Sequence, residues 1–589
     1  MSPIISNKLV VSLKEPLQRC RILIVSGLVI FSFMFKIFFL FHGSNYTNHL
    51  ISDMGAYWAR AQQRYDGNIF DIFQWMLTAP FFHLFLFQLF KIAAFLGFYS
   101  YRLEFTLFIF IFLSSLSVIG VYQIASKMLN HFWLSFAAAA FYAFCFPIIY
   151  FNTLVMSENL SIPLLIAVTW IMFVHDDSVG RMFFAGLLFG LTVGVRPILG
   201  ILGLAYLLYI LLSRGLSRRS VIRSFFFGFG FFLIIFLLIT ENFYISKGQI
   251  RKLAGGAALS LFTNFCKPHS LISNYSGYGG VAILNSPLFF ERHFEYGDFY
   301  TDRPFHDEAF FIKMTQKCIQ ENPTIWLENL KTLSAFFDAP FFPSFTDFKG
   351  FSFWMPLYNS LALFLTVSVG LFYIVAPRDQ LFLLRMTVLL SPLFSLLLIG
   401  YFFVPERRFL IQCWPGLSIV FFGSLQQLFC FRKKAIYYYA LVVLVFCIFL
   451  VKDIWIKTTW QKDFHVQKLF EVSLEKVLRR YPNGTIGTQM GMCIFPIRES
   501  AFLLKAKKPC KAKIIEIGVN SGNSYVLEFF LKKNQIAKLR IPAILTTKNG
   551  IQNRVLDVTD ILNEKSFDSV LIRCGEGPGP FSIAYFIVK

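Results

Sequence analysis

Long apolar runs separated by short polar breaks dominate the chain. Runs at about 22–42, 104–126, 132–151, 159–175, 224–240, 352–376, 386–404, 409–430 and 435–451 are each close to the ~20 residues a helix needs to cross a bilayer. The stretch 182–213 is too long for one ordinary span. Arg196-Pro197 divides it, which predicts two short helices with Arg196 near the tip. A further stretch, Ala79 to Phe98, is apolar enough to cross but carries His83, Gln88 and Lys91. The pattern changes near the end of the chain. Ile514–Val519, Tyr525–Leu531, Ala537–Ile544, Arg554–Val558, Ser569–Arg573 and Phe581–Val588 are short apolar-rich runs separated by Asn, Gly or Lys, and read as strands.

Charge decides the topology that hydropathy leaves open. If 79–98 does not fully cross, the count is about eleven spans, and the basic loops 127–131, 214–223, 378–385 and 431–434 all join the N-terminus in the cytoplasm. If it crosses, all four loops flip outward. Residues 79–98 are therefore expected to form a juxtamembrane or re-entrant helix at the interface. The fold class expected is a polytopic α-helical membrane protein with a C-terminal soluble β-sandwich-like domain. Residues 1–451 form the transmembrane domain, with an outer loop 43–103 carrying juxtamembrane helices and a large outer loop 241–350. Residues 452–589 form the extracytoplasmic β domain. Lys8, Lys14, Arg19 and Arg21 precede the first run with no small-residue cleavage site, so that run reads as an anchor in the plasma (inner) membrane.

Composition agrees with the patterning. The chain is 56% hydrophobic and 15% charged, with 76 phenylalanines, whereas a soluble protein carries about 25% charge. The net charge of +22 falls largely in short loops and accompanies no nucleic-acid-binding motif. Membrane lipids, not nucleic acid, are the expected surroundings. Among ten cysteines, Cys266 and Cys318 share the 241–350 loop and are the expected disulfide; Cys493, Cys510 and Cys574 share the tail, where the pairing stays open.

Several charged residues ask for a role. Asp53 lies just beyond the first run and Glu158 at the outer end between two others. Acids at such positions are uncommon and often functional, although each also suits a helix start. Arg196 either snorkels to the interface or binds an anion. Arg407 and Arg408 follow a span on the side where positive-inside logic disfavours them, and a guanidinium fork suits a phosphate. Pairing with Glu406 or lipid headgroups is their plainer use. The segment 301–308 is dense in acids and His, and reads either as a solvated loop or as a contact for metal or acceptor. No Walker loop, dinucleotide fingerprint, zincin helix or nucleophile elbow is present. What remains suits a donor with a lipid tail and a phosphate leaving group.

These residues also carry a resemblance. Ser52-Asp53-Met54-Gly55-Ala56-Tyr57 follows one span; a Pro-headed apolar helix begins at Pro80. Tyr101-Arg102-Leu103 opens a span that ends in Ala125-Ser126-Lys127-Met128-Leu129. Ser157-Glu158-Asn159-Leu160 follows, then Gly186 to Leu191 running to Val195-Arg196-Pro197, and finally Glu406-Arg407-Arg408-Phe409-Leu410. In this order they resemble the GT-C superfamily of polyprenyl-phosphate-sugar transferases, over roughly 20–200 and 385–430. The nearest likeness is to protein O-mannosyltransferase-like and lipid A aminoarabinose transferase-like proteins. The resemblance implies an inverting glycosyl transfer on the outer membrane face. Asp53 matches the catalytic base. Glu158 matches a second acid that organises a metal or the acceptor. Arg196, Arg407 and Arg408 match donor-phosphate ligands. Some relatives carry a Lys before the Pro-headed helix; here Thr78-Ala79-Pro80 stands there, and His83 or Lys91 is the expected substitute.

The function expected is an integral membrane glycosyltransferase moving a hexosyl or pentosyl group from a polyprenyl-phosphate sugar to a hydroxyl of a glycan, lipid or protein acceptor. A divalent metal cation held by Asp53 and Glu158 is the one cofactor expected. The rivals are a transporter or flippase of lipid-linked glycans, which predicts related halves and polar residues near mid-membrane, and a glycan polymerase or ligase. Neither a repeat nor a deep charge cluster is apparent in the sequence.

Overall fold

The computed structural model describes residues 4–44, 46–48, 52–67, 79–174, 178–213, 215–248, 251–255, 257–265, 308–332, 380–402, 407–430, 469–473, 478–480, 486–489, 501–520, 524–542, 551–574 and 583–588. The spans expected at 352–376 and 435–451, the segment 301–307 and Cys266 lie outside the described residues.

The helical part begins with α1 (Ile4–Gly43), α2 (Ser52–Tyr65), α3 (Phe81–Phe95), α4 (Arg102–Leu129), α5 (Phe132–Ala143), α6 (Phe146–Phe151), α7 (Glu158–Val174) and α8 (Val179–Val195). It continues with α9 (Leu202–Leu212), α10 (Arg218–Ile245), α11 (Ala257–Phe265), α12 (Glu308–Glu321), α13 (Ile325–Thr332), α14 (Gln380–Phe402) and α15 (Trp414–Cys430). Among the described residues, four helical segments are long and apolar enough to cross a membrane: Cys20–Gly43, Tyr99–Leu129, Arg218–Ile245 and Gln380–Phe402. Shorter apolar helices pack between them. The run expected as one span over 132–151 is two helices. α5 stops at Ala143, and α6 restarts with Pro147 in its first turn, where a missing N–H breaks no hydrogen bond. Arg196 has an extended backbone (φ −142°, ψ 96°), and a 3-10 turn over Pro197–Ile201 leads into α9.

Two interactions show why these helices sit where they do. Lys36 of α1 is fully buried, and its Nζ donates to Ser114 Oγ of α4 at 2.8 Å, tying the first helix to the bundle through a polar bond. The second is a seam of small residues between α8 and α10. A Cβ at Gly186 would overlap the carbonyl of Phe227, and one at Gly230 the carbonyl of Phe183. Without a hydrophobic drive between helices in lipid, such close backbone approach supplies the van der Waals contact that holds them. The partners advance together, from Gly186 against Phe227 through Gly190 against Ile234 to Gly194 against Leu238. The two helices therefore run parallel, and the end of α8 lies beside the end of α10.

That seam sets one end of the bundle. Phe81, opening α3, packs against Gly194. Arg64 of α2 reaches Glu241 of α10 at 2.6 Å. At the end of α14, the Tyr401 carbonyl accepts from Asn264 Nδ2 at 2.9 Å and Asn329 Nδ2 at 3.4 Å. Trp326 stacks on the Tyr401 ring, with centroids 6.0 Å apart. The helices of the 241–350 loop are thereby docked on α14 just before residue 407. Cys318 of α12 is buried and disulfide-bonded; its expected partner, Cys266, lies outside the described residues.

Among the described residues, the C-terminal part holds two five-stranded sheets. The strands are β1 (Leu469–Ser473), β2 (Leu478–Arg480), β3 (Ile486–Gln489), β4 (Ala501–Cys510), β5 (Ile514–Asn520), β6 (Tyr525–Leu531), β7 (Asn534–Ile541), β8 (Ile551–Asp557), β9 (Phe567–Cys574) and β10 (Ile583–Val588). One sheet has the order β1-β4-β9-β6-β7 and the other β2-β3-β10-β5-β8. The β1–β4 pairing is parallel. β6 and β7 form a hairpin whose two loop residues, Lys532 and Lys533, both have positive φ (50° and 71°), as a tight hairpin turn requires. Leu504, Ile515, Ile517, Leu527, Phe529 and Ile572 share one apolar cluster drawn from both sheets. The strands read from the sequence correspond to β5–β10. β4 was not among them, because its Lys505, Lys507, Lys508 and Pro509 dilute the apolar signal.

The α8–α10 seam yields a prediction. Gly186→Ala, which meets a backbone carbonyl that cannot swing aside, destabilises the protein by about 1–3 kcal/mol. Gly228→Ala, on the same α10 helix but with open space around it, is neutral or slightly stabilising. Thermal unfolding in detergent measures both.

Candidate active site

The end of the bundle defined by the seam gathers charge. α7 and α8 are each 17 residues long and are joined by a short connection. Glu158 opens α7 and Arg196 follows the last residue of α8, so an antiparallel pair of equal helices brings them to the same end. Each also complements its own helix: an acid at the positive N-terminus of α7 and a cation at the negative C-terminus of α8. Their side chains form an ion pair between Arg196 Nη1 and Glu158 Oε1. Glu158 is fully buried, and the Arg196 side chain is 10% exposed.

The loop ahead of Glu158 is built to hold it. Asn159 Nδ2 donates to the carbonyls of Phe151 and Leu154, both at 2.7 Å, and its Oδ1 accepts from Asn152 Nδ2 at 2.9 Å. Ser157 Oγ donates to Glu158 Oε2 at 3.2 Å. These side chains replace the backbone partners that a turn at a helix start lacks.

A third element meets the pair. Residues Arg407–Cys413 form a 3-10 helix packed against α7, α14 and α15. Gln412, within it, is 3% exposed. With its amide oxygen turned to Arg196, it accepts from Nε at 3.2 Å and Nη1 at 3.0 Å. Arg407 and Arg408 open this short helix; their side chains lie outside the described residues.

Asp53 is the second residue of α2; its side chain likewise lies outside the described residues. α2 packs on α3. His83 of α3 is fully buried. Burial, and then the charges of Arg60 and Arg64 on α2, hold its imidazole well below the usual range, in the neutral form. Lys91 is exposed and sits 4.5 Å over the Phe87 ring. The Arg102 guanidinium lies 4.5 Å from the Tyr99 ring and 5.7 Å from that of Trp58, a cation–π cluster that fixes the far side of α2.

The structure thus joins Glu158 and Arg196 directly and brings in the helix of Arg407 and Arg408 through Gln412. His83 and the backbone of Asp53 belong to the α2–α3 pair at the same end. Gln412, Asn152 and Asn159 were not read from the sequence as site residues. For Gln412 a signal existed: it is the single polar residue between Arg408 and Ser418.

A bundle of apolar helices with a buried acid–arginine pair at one end is an arrangement in keeping with the GT-C class that the motifs resemble. Residues 79–244 match the family model described as dolichyl-phosphate-mannose-protein mannosyltransferase, which is of GT-C type. No curated protein matches the chain. The matched segment runs from the approach to α3 nearly to the end of α10. It holds His83, Glu158 and Arg196, and leaves Asp53, Arg407, Arg408 and both sheets outside. The match implies a membrane glycosyltransferase that uses a polyprenyl-phosphate sugar.

The ion pair can be tested by itself. Arg196→Gln leaves the Glu158 carboxylate buried without its charge partner and destabilises the protein by about 3–5 kcal/mol. Adding Glu158→Gln to Arg196→Gln recovers part of that loss, because the orphaned charge is gone. Thermal unfolding of the wild type, both single variants and the double variant completes the cycle.

Proposed function

We propose that the protein is an inverting glycosyltransferase that moves a sugar from a polyprenyl-phosphate donor to an acceptor hydroxyl on the outer face of the membrane. The observation that carries this reading is the buried Glu158–Arg196 pair, at the end of a segment that matches a polyprenyl-phosphate-dependent family. In the transfer, Asp53 takes the proton of the acceptor hydroxyl as its oxygen attacks the anomeric carbon. The bond from that carbon to the phosphate oxygen breaks, and the electron pair leaves with the polyprenyl phosphate. Attack opposite the leaving group inverts the anomeric centre. Arg196, with Arg407 and Arg408 on the helix that Gln412 anchors, stabilises the charge developing on that phosphate. Glu158 sets the orientation of Arg196.

A divalent cation is part of what the resemblance leads one to expect. Among the described residues, no three of His, Cys, Asp and Glu come together, and Glu158 faces a guanidinium. The side chain of Asp53, the other residue expected to hold the cation, lies outside the described residues; the steps above are written on protein groups.

In the membrane arrangement that goes with this reading, about eleven spans place the N-terminus in the cytoplasm and the two-sheet domain outside as a β-sandwich. The distribution of basic loops supports it. So does the disulfide at Cys318, a bond that persists in oxidising compartments and belongs to the 241–350 loop assigned to the outside.

Two measurements test the proposal. Asp53→Asn keeps the shape and removes the base, so turnover of purified protein falls by about 10²–10⁴, while donor affinity is retained. Wild-type turnover in this variant removes Asp53 from the mechanism; joint loss of turnover and donor binding makes it a binding residue instead. For topology, reporter fusions after Arg223 and after Ser500 report opposite sides of the membrane, and a cytoplasmic report from both contradicts the arrangement.

A further inference from the structure

We infer that Gln412 is a positioning residue of the donor site, which fixes the plane of the Arg196 guanidinium and keeps the charge of the buried cluster balanced; this rests on the function proposed above. The geometry is specific. Glu158 takes Nη1 of Arg196, and the Gln412 amide oxygen takes Nε and Nη1 together. Two anchors on one planar group leave it no rotation about its last torsion. The same residue ties the short Arg407–Cys413 helix to that point.

The choice of a neutral side chain also matters. Glu158 and Arg196 cancel, and Gln412 adds an acceptor without adding charge. A carboxylate at the same position would accept from the same two nitrogens and would leave the buried cluster with a net charge of −1. In a site shielded from water such a charge is weakly screened, and an anionic phosphate nearby is repelled. The hydrogen bonds to Arg196 persist and become charge-assisted, which offsets part of the cost of the added charge to folding. Binding of an anion gains no such offset.

The test uses full-length protein in detergent, with farnesyl phosphate as a short-chain polyprenyl-phosphate probe and farnesol as its neutral counterpart. Gln412→Glu is expected to weaken farnesyl phosphate binding by about tenfold or more, equivalent to about 1.4 kcal/mol, to lower the melting temperature because it adds a buried charge, and to leave farnesol binding near wild type. Gln412→Met, of similar length and without the acceptor, is expected to weaken farnesyl phosphate selectively by a smaller factor. Because the readout is the ratio of anionic to neutral ligand, a general loss of structure cannot imitate it. Wild-type selectivity in both variants overturns the inference while leaving the glycosyltransferase reading intact. Failure of the wild-type protein to bind farnesyl phosphate in preference to farnesol overturns that reading and this inference with it.

Discussion

The ion pair between Glu158 and Arg196 is the constraint on which the arrangement of the bundle end depends. Two charges taken out of water are costly unless they find each other in good geometry with further hydrogen bonds. The chain meets that condition from three directions. Helix dipoles favour each charge where it stands. The Asn152–Asn159 network and Ser157 rigidify the approach to Glu158. Gln412 supplies a further acceptor for the guanidinium. Loosening any of these would leave a buried charge poorly compensated, so the start of α7, the end of α8 and the 407–413 helix have little freedom to separate.

The rest of the fold delivers these groups to the same place. The close α8–α10 contact sets the level of Arg196 against Glu241, and Glu241 in turn draws in Arg64 and the helix that carries Asp53. On the other side, Asn264 and Asn329 pin the 241–350 loop to the Tyr401 carbonyl at the end of α14, a few residues ahead of Arg407. Apolar packing builds the bundle, but polar bonds at helix ends decide its register.

How much of this was legible in the sequence depended on the kind of signal. The break at Arg196-Pro197 was readable because proline cannot continue a helix, and the shared end of Glu158 and Arg196 followed from counting two helices between them. The interruption at Phe144 and Cys145 was missed: the residues on either side are uniformly apolar, hydropathy is blind to a change of axis, and Pro147 was the one signal of a restart. Gln412 escaped because a lone amide beside two arginines looks incidental until folding places it on Arg196. The sheets show the same division. Strands β5 to β10 announce themselves by apolar runs, whereas the lysines of β4 disguise a strand whose Leu504 lies in the core. The match over 79–244 agrees with the resemblance carried by Glu158, Asn159 and the Gly186–Arg196 stretch.

The central claim is that sugar leaves a polyprenyl phosphate at this site and arrives on an acceptor hydroxyl. The most direct measurement is mass spectrometry of lipid extracts and glycoconjugates from cells with and without the protein. The account predicts that, without it, a polyprenyl-phosphate sugar persists or accumulates and one class of glycoconjugate loses a single sugar residue. An unchanged set of glycoconjugates with an unchanged lipid-linked pool contradicts the account, as does the loss of whole repeating units in place of one sugar.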